Sequence, residues 1–314
     1  APTDDWEGGP AGRPGGTAWR REGRGRATVC ISTQAGCAMG CTFCATGQFG
    51  FTRQLSAGEV VEQVAHAWRL LPELRPGPDA PDHLTNVVFM GMGEPFANPA
   101  ATWGAAWRLH RGFGLSARAI TISTVGLVPG IRRAAGEPLP VNLAVSIHAA
   151  EDELRDRLVP VNRSWPIAEL LAAVRDYVAA TRRRVSFEYA LMAGVNARLD
   201  QATRLGRLLA PLRVPGGGHA AHVNLIPYNP TPGGSGGSGG VRGTPGGPPG
   251  RSGLAPRSEG PDLQPPSKAA VRRFRDAVAA TGVPVSVRAN RGVGIDAACG
   301  QLRTSAGRPG RVPR

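Results

Sequence analysis

Lysine is almost missing from this 314-residue chain: of its 37 basic residues all but Lys268 are arginine. Acidic residues are scarcer than basic ones, 23 in number, so the formal charge is +14 and a polyanionic surface would suit it as a partner. The same arginine bias, alongside much Ala, Gly and Pro, also follows from genomic base composition, so charge alone leaves nucleic-acid binding open. Long apolar runs are lacking. No stretch approaches the roughly eighteen apolar residues of a membrane span, and the first thirty residues hold no apolar signal core, so no membrane partner is expected and the expected location is cytoplasmic. A disulfide framework is lacking too, because the cysteines number five and four of them crowd between Cys30 and Cys44, a distribution that suits a metal site. An initiating Met is absent, which reads as a fragment or a processed chain.

What is present is a core-forming centre with loose flanks. Hydrophobic residues make up 41% of the chain, enough for a sizeable core, whereas residues 1–26 are rich in Gly, Pro and Arg without apolar periodicity. Residues 27–302 alternate short β-branched runs with amphipathic ones. Strands are expected at 27–32, 86–90, 119–123, 142–148, 185–192, 222–227 and 283–289. Helices are expected from Ser56, at 98–110, after Pro129, at 151–158, 166–181, 199–210 and 267–281. Ser56 and Glu59 form a capping box, and Val60, Val61, Val64 and Trp68 then share one helical face. Alternation of this kind predicts an α/β fold with a parallel sheet, closed into a partial or full barrel whose strand ends carry the functional groups. A Gly/Pro/Ser-rich segment at about 231–266 cannot bury a core and reads as an insertion, and 303–314 as a basic tail.

Cys37, Cys41 and Cys44 follow a C-x3-C-x2-C spacing on a segment where Gly36 and Gly40 permit tight turns. Three thiolates can hold three irons of a [4Fe-4S] cluster and leave the fourth open for a ligand that accepts an electron. A structural zinc site, which wants four ligands, and a set of buried structural cysteines are the competing readings.

The spacing, with Phe43 just before the last cysteine, resembles the radical S-adenosylmethionine superfamily. A wider set of segments resembles, in order, the RlmN/Cfr family of RNA adenine methyltransferases: CISTQAGCAMGCTFCATGQFGFTR (30–53), MGMGEP (90–95), TISTVGLVP (121–129), LAVSIHA (143–149), VNLIPYNP (223–230) and GIDAACGQL (294–302). That resemblance implies a partial (β/α) TIM-type barrel, a [4Fe-4S] cluster and S-adenosylmethionine, two molecules per turnover. Methylation of carbon 2 of an adenine in 23S rRNA, and in some members of tRNA, is the activity it implies for the RlmN branch, with carbon 8 for the Cfr branch.

Residue by residue, the resemblance assigns Cys37, Cys41 and Cys44 to the cluster and Phe43 to the adenine of S-adenosylmethionine. Gly93, Glu94, Ser123, Ser146, Ile147, His148 and Asn229 would complete that pocket. Taken one at a time they read as ordinary: a turn at Gly93–Pro95, a cap at Ser123, a satisfied core histidine at His148. Cys299 would carry the methyl group as S-methylcysteine, and Cys30 would resolve the covalent protein–RNA adduct through a transient disulfide with Cys299. An external reductant of the flavodoxin type would supply electrons. The sequence departs from the family where a proton-abstracting glutamate is expected: Thr17 stands there, with Glu22 nearby, and the family's accessory amino-terminal domain is expected to be absent from residues 1–26.

Overall fold

The capping box at Ser56 forms as expected: Ser56 N donates to Glu59 Oε2 at 2.9 Å and Glu59 N donates to Ser56 Oγ at 3.2 Å, which satisfies two otherwise unpaired donors at the start of a helix. Arg53 reinforces it by donating to both Glu59 oxygens, at 3.1 and 2.8 Å. The computed structural model describes residues 25–74, 81, 83–230 and 263–288; Thr17, Glu22 and Cys299 lie outside the described residues.

In chain order the elements are β1 (Thr28–Cys30), β2 (Gln34–Gly36), α1 (Ala45–Phe49), β3 (Phe51–Gln54), α2 (Ala57–Leu74), β4 (Asn86–Phe89), α3 (Pro99–Gly112), β5 (Ile120–Thr124), α4 (Val128–Ala135), β6 (Asn142–Ser146), α5 (Asp152–Leu158), α6 (Ile167–Thr181), β7 (Val185–Leu191), α7 (Leu199–Leu209), β8 (Ala221–Pro227), α8 (Lys268–Ala279) and β9 (Val285–Val287). Seven strands form one sheet in the order β1-β4-β5-β6-β7-β8-β9, and every neighbouring pair is parallel. Each new strand is added at the same edge. Among the described residues β1 and β9 do not pair with each other, so the sheet curls into a partial barrel, the α/β architecture expected from the alternation.

Because side chains alternate along a strand, the sheet has an outer and an inner face. The outer face, with Val87, Phe89, Ile122, Val145, Phe187, Tyr189 and Leu225, packs against Val64 of α2, Leu109 of α3, Ile131 of α4, Leu170 of α6, Leu205 of α7 and Phe274 of α8 as a single core. Residues between them on the same strands, Ser123, Ser146, Glu188 and Asn224 among them, form the inner face.

Two differences from the sequence reading concern irregular ground. The stretch around the cysteines, expected as loop, contains α1 and a two-stranded antiparallel sheet of β2 and β3. Strands of three and four residues, the second fully exposed, carry no apolar alternation for a sequence to show. Folded chain also resumes before the expected insertion boundary: Leu263 is buried, and Ala193 N donates to Gln264 O at 2.9 Å. Among the described residues no helix is long and apolar enough to cross a membrane.

Candidate active site

The cysteine loop is held at its base by β2 and β3. Gly36 sits at φ +80°, where a Cβ would come within 2.1 Å of Gly50 O, so only glycine permits the closure that lets Cys37 N donate to Gly50 O at 2.8 Å. Within the loop Cys44 N donates to Cys41 O at 3.2 Å, a tight turn that hands the chain to α1. On its far side Thr42 N donates to Leu158 O at 3.1 Å, and Cys41 and Phe43 pack with Leu158, Val159 and Val161. All three loop thiols thereby face one cleft. Burial pushes the Cys37 thiol up to about 11, the nearby Cys44 adding to the shift. Burial raises Cys41 further, with Cys44 and Cys37 next in effect and Arg155 pulling the other way. Thiols crowded out of water in this way favour a positively charged occupant that takes their protons' place.

Opposite the loop stand the carboxyl ends of β4, β5 and β6. Gly93, at φ +99°, would place a Cβ 2.6 Å from the Gln34 side chain, so the turn after β4 needs glycine there. Gln34 Oε1 accepts from Glu94 N at 2.8 Å, which ties this turn to β2. The Glu94 carboxylate accepts from Phe96 N at 3.0 Å and Val125 N at 2.8 Å, bracing the ends of β4 and β5. Burial lifts it to about 7 despite those donors.

His148 follows β6 at φ +56°, a left-handed conformation that costs a non-glycine residue roughly 1–2 kcal/mol. Several bonds hold it there. Its Nδ1 accepts from Ala190 N at 2.9 Å, its carbonyl accepts from Asn196 Nδ2 at 2.9 Å, and its ring meets Phe43 edge-on with centroids 4.5 Å apart. Acceptance at Nδ1 assigns the ring proton to Nε2. Burial, and then Arg155, lower its pKa to about 3, so it is a neutral imidazole at physiological pH.

The cleft holds about 160 Å³ and is lined by Cys37, Cys41, Cys44, Phe43, Gly93, Glu94, Ser123, Ser146, His148 and Asn229, each singled out from the sequence. Ile147 is the exception: its fully buried side chain belongs to the outer core, because it falls on the other phase of the β6 alternation. Cys30 ends β1 and is exposed, in register with Val88, on the inner phase of that strand. A larger cavity of about 240 Å³ between the helices, lined by Trp103, Tyr177, Glu137 and Arg183 among others, contains none of these groups.

Three residues of the site escaped the sequence reading. Glu188 lines the cleft from the middle of β7, accepts from Asn224 Nδ2 at 2.9 Å and is raised by burial to about 7, Arg288 opposing the shift. A lone acid inside VSFEYAL was the signal that could have found it. Asn196 bonds His148 O, Ala190 O and Met192 N and so fixes the chain after β7. Arg155 is buried among backbone carbonyls, in a helix whose charged sequence looks solvent-facing. Neither shows a local signal.

Residues 31–205 match the Radical SAM superfamily. The chain is 52% identical over 294 residues to the probable dual-specificity RNA methyltransferase RlmN of Frankia alni, covering 91% of this chain and 61% of that protein. The protein of the same name from a Parafrankia species is 50% identical, over 90% of this chain and 68% of its own length. The chain belongs to the RlmN family of the radical SAM superfamily. Among solved structures, a radical SAM methyltransferase from Sphaerobacter thermophilus superposes with a TM-score of 0.73 at 48% identity, over 88% of this chain and 70% of that one. The chain thus spans about three fifths of the Frankia alni relative's length.

Three thiols, a neutral His148 and braced strand ends fit the group this superfamily implies. Among the described residues no three His, Cys, Asp or Glu side chains converge on a point the size of a single ion. A four-iron cluster spreads its ligands wider than one ion does, and three thiols on an eight-residue loop can meet it at separate corners.

Proposed function

We propose that this RlmN-family chain is a radical S-adenosylmethionine RNA methyltransferase acting on carbon 2 of an adenine in 23S rRNA and tRNA. The observation that carries the reading is the single cleft, where three loop thiols confront Gly93, Glu94, Ser123, Ser146, His148 and Asn229. In this reading Cys37, Cys41 and Cys44 hold a [4Fe-4S] cluster, and S-adenosylmethionine lies between Phe43 and the strand ends. When bound, the pair supplies a reductive C–S cleavage that generates a carbon radical, with the electron arriving from a flavodoxin-type donor.

The protein's own part is to place and restrain. Gly93 lets the turn after β4 close against Gln34, and Glu94 offers a buried carboxyl to an amino group while bracing two strands. His148 keeps its proton on Nε2, so it can donate a hydrogen bond without adding charge. Cys299 would take a methyl group at sulfur from one S-adenosylmethionine, which leaves as S-adenosylhomocysteine. That carbon, after losing a hydrogen atom to the radical, would bond the adenine, and Cys30, at the carboxyl end of β1, would attack the Cys299 sulfur to form a disulfide as the methylated base departs. Residues 1–24 and 289–314, which contain Thr17, Glu22 and Cys299, bear on this reading from their sequence alone.

The test is anaerobic reconstitution of the full chain with iron and sulfide, followed by incubation with a reductant, S-adenosylmethionine and protein-free 23S rRNA or tRNA. Nucleoside mass spectrometry should show 2-methyladenosine, and Cys299→Ala should abolish it. An 8-methyl product would move the assignment to carbon 8. Unmodified adenine beside a competent cluster would overturn the proposal.

A further inference from the structure

Among the described residues Arg155 is the largest side chain with less than 2% exposure, and the site just described leaves it without a role. It lies in α5, directly beneath the cysteine loop: Thr42 N donates to Leu158 O one turn along at 3.1 Å, and a Cβ built on Gly40 would sit 3.9 Å from Pro160. Its guanidinium is caged by oxygen dipoles. Nε donates to Ile147 O at 3.0 Å, one terminal nitrogen to Val125 O at 2.7 Å and Ser146 O at 3.0 Å, and the other to Asn162 Oδ1 at 2.7 Å. Among the described residues no carboxylate bonds it directly. Asp152 and Asp156 are reached only through Asn162 Nδ2, at 2.8 and 2.6 Å.

Burying a cation costs several kcal/mol unless dipoles or anions compensate it, and carbonyls solvate the charge without cancelling it. The cation therefore still acts on its surroundings. Cys41, Asp152 and Asp156 all lie close enough to favour its charged form. Burial brings Arg155 down to about 10, so it stays protonated at neutral pH. A clamp on the strand ends would need donors but no net charge, and the charge is the costly part of the arrangement.

We propose that Arg155 is an electrostatic positioning residue for the redox centre, its fixed positive charge under Cys41 favouring the reduced cluster and so raising the potential at which it accepts an electron. The inference rests on Cys37, Cys41 and Cys44 holding that cluster. One-electron reduction adds one negative charge to a group already bound by three thiolates. A cation in low dielectric, screened little by salt, stabilises the product of that step more than the reactant.

The test is a potentiometric titration of the reconstituted full chain with dithionite and mediators, followed by the electron paramagnetic resonance of the reduced cluster. Arg155→Gln keeps amide donors and loses the charge, and should disfavour reduction at least tenfold, a shift of ~59 mV to lower potential. Asp156→Asn removes an opposing charge outside the cleft and should shift the potential the other way, by less. Arg155→Lys should stay near wild type in potential even where its stability falls. An unchanged potential in a cluster-loaded Arg155→Gln, or a downward shift in Asp156→Asn, would overturn the inference. Should Arg155→Gln fail to fold, Asp156→Asn decides alone: an upward shift supports the proposal and an unchanged potential defeats it. Failure of the wild-type chain to assemble a cluster would overturn the site reading first, an outcome distinct from assembly with an insensitive potential.

Discussion

On β7, Val185, Phe187, Tyr189 and Leu191 are completely buried against the helices, while Ser186, Glu188 and Ala190 of the same strand face the hollow of the barrel. One strand serves two environments through the period-2 alternation of its side chains. The outer set is interchangeable apolar volume whose task is to fill space. The inner set carries polar groups bonded side to side, as in the line from Glu188 to Asn224 to Ser286 across three strands. A small barrel ordinarily packs its interior with branched apolar residues. Here the interior is given over to a cleft, so stability has to come from the outer face and chemistry from the inner one.

That division can be broken at several points. The largest effect is expected at Cys41→Ala, which should lose iron and sulfide in reconstitution while shifting the thermal midpoint of the metal-free protein little. A large drop in that midpoint would show the loop to be structural. Next, Phe187→Ala on the outer face should cost about 3–5 kcal/mol in denaturant unfolding, as a cavity opens in a core with no water to fill it. A cost below about 1 kcal/mol, the size expected of a surface site, would mean that the outer face is not a single core.

Glu188→Gln sharpens the comparison through pH. Burial raises this carboxyl from 4.5 to about 7, with Asn224 and Arg288 opposing the shift, so the folded chain keeps a proton that the unfolded chain has released. Its contribution is fully present below about pH 4.5 and is lost as pH rises through 7. At pH 8 the metal-free Gln variant should therefore be more stable than wild type by up to about 3 kcal/mol, relative to their difference at pH 4. Parallel stability curves for the two proteins would sink the idea. Smallest is Ser56→Ala, outside both faces, which removes one half of the capping box and should cost about 1 kcal/mol in unfolding with no change in iron content.

Much of this was legible from the chain because it depends on short-range pattern. The alternation of β-branched and amphipathic runs foretold seven parallel strands, and the spacing of Cys37, Cys41 and Cys44 marked the loop. Other features had no local signature. Arg155 sits in DELRDRL, a run that reads as a solvated helix, and only the packing of α5 under the loop buries it. Ile147 and His148 are adjacent in sequence yet go to opposite faces, the first into the core and the second into the cleft with a left-handed backbone.

The sequence by itself determined the class of fold and the kinds of chemical group present, since periodicity and residue type are properties of neighbours along the chain. Tertiary structure decided which groups share a cleft and what charge each carries there. Glu94, Glu188, His148 and Arg155 all have pKa values moved from their ordinary range mainly through burial, and burial is created by elements distant in sequence.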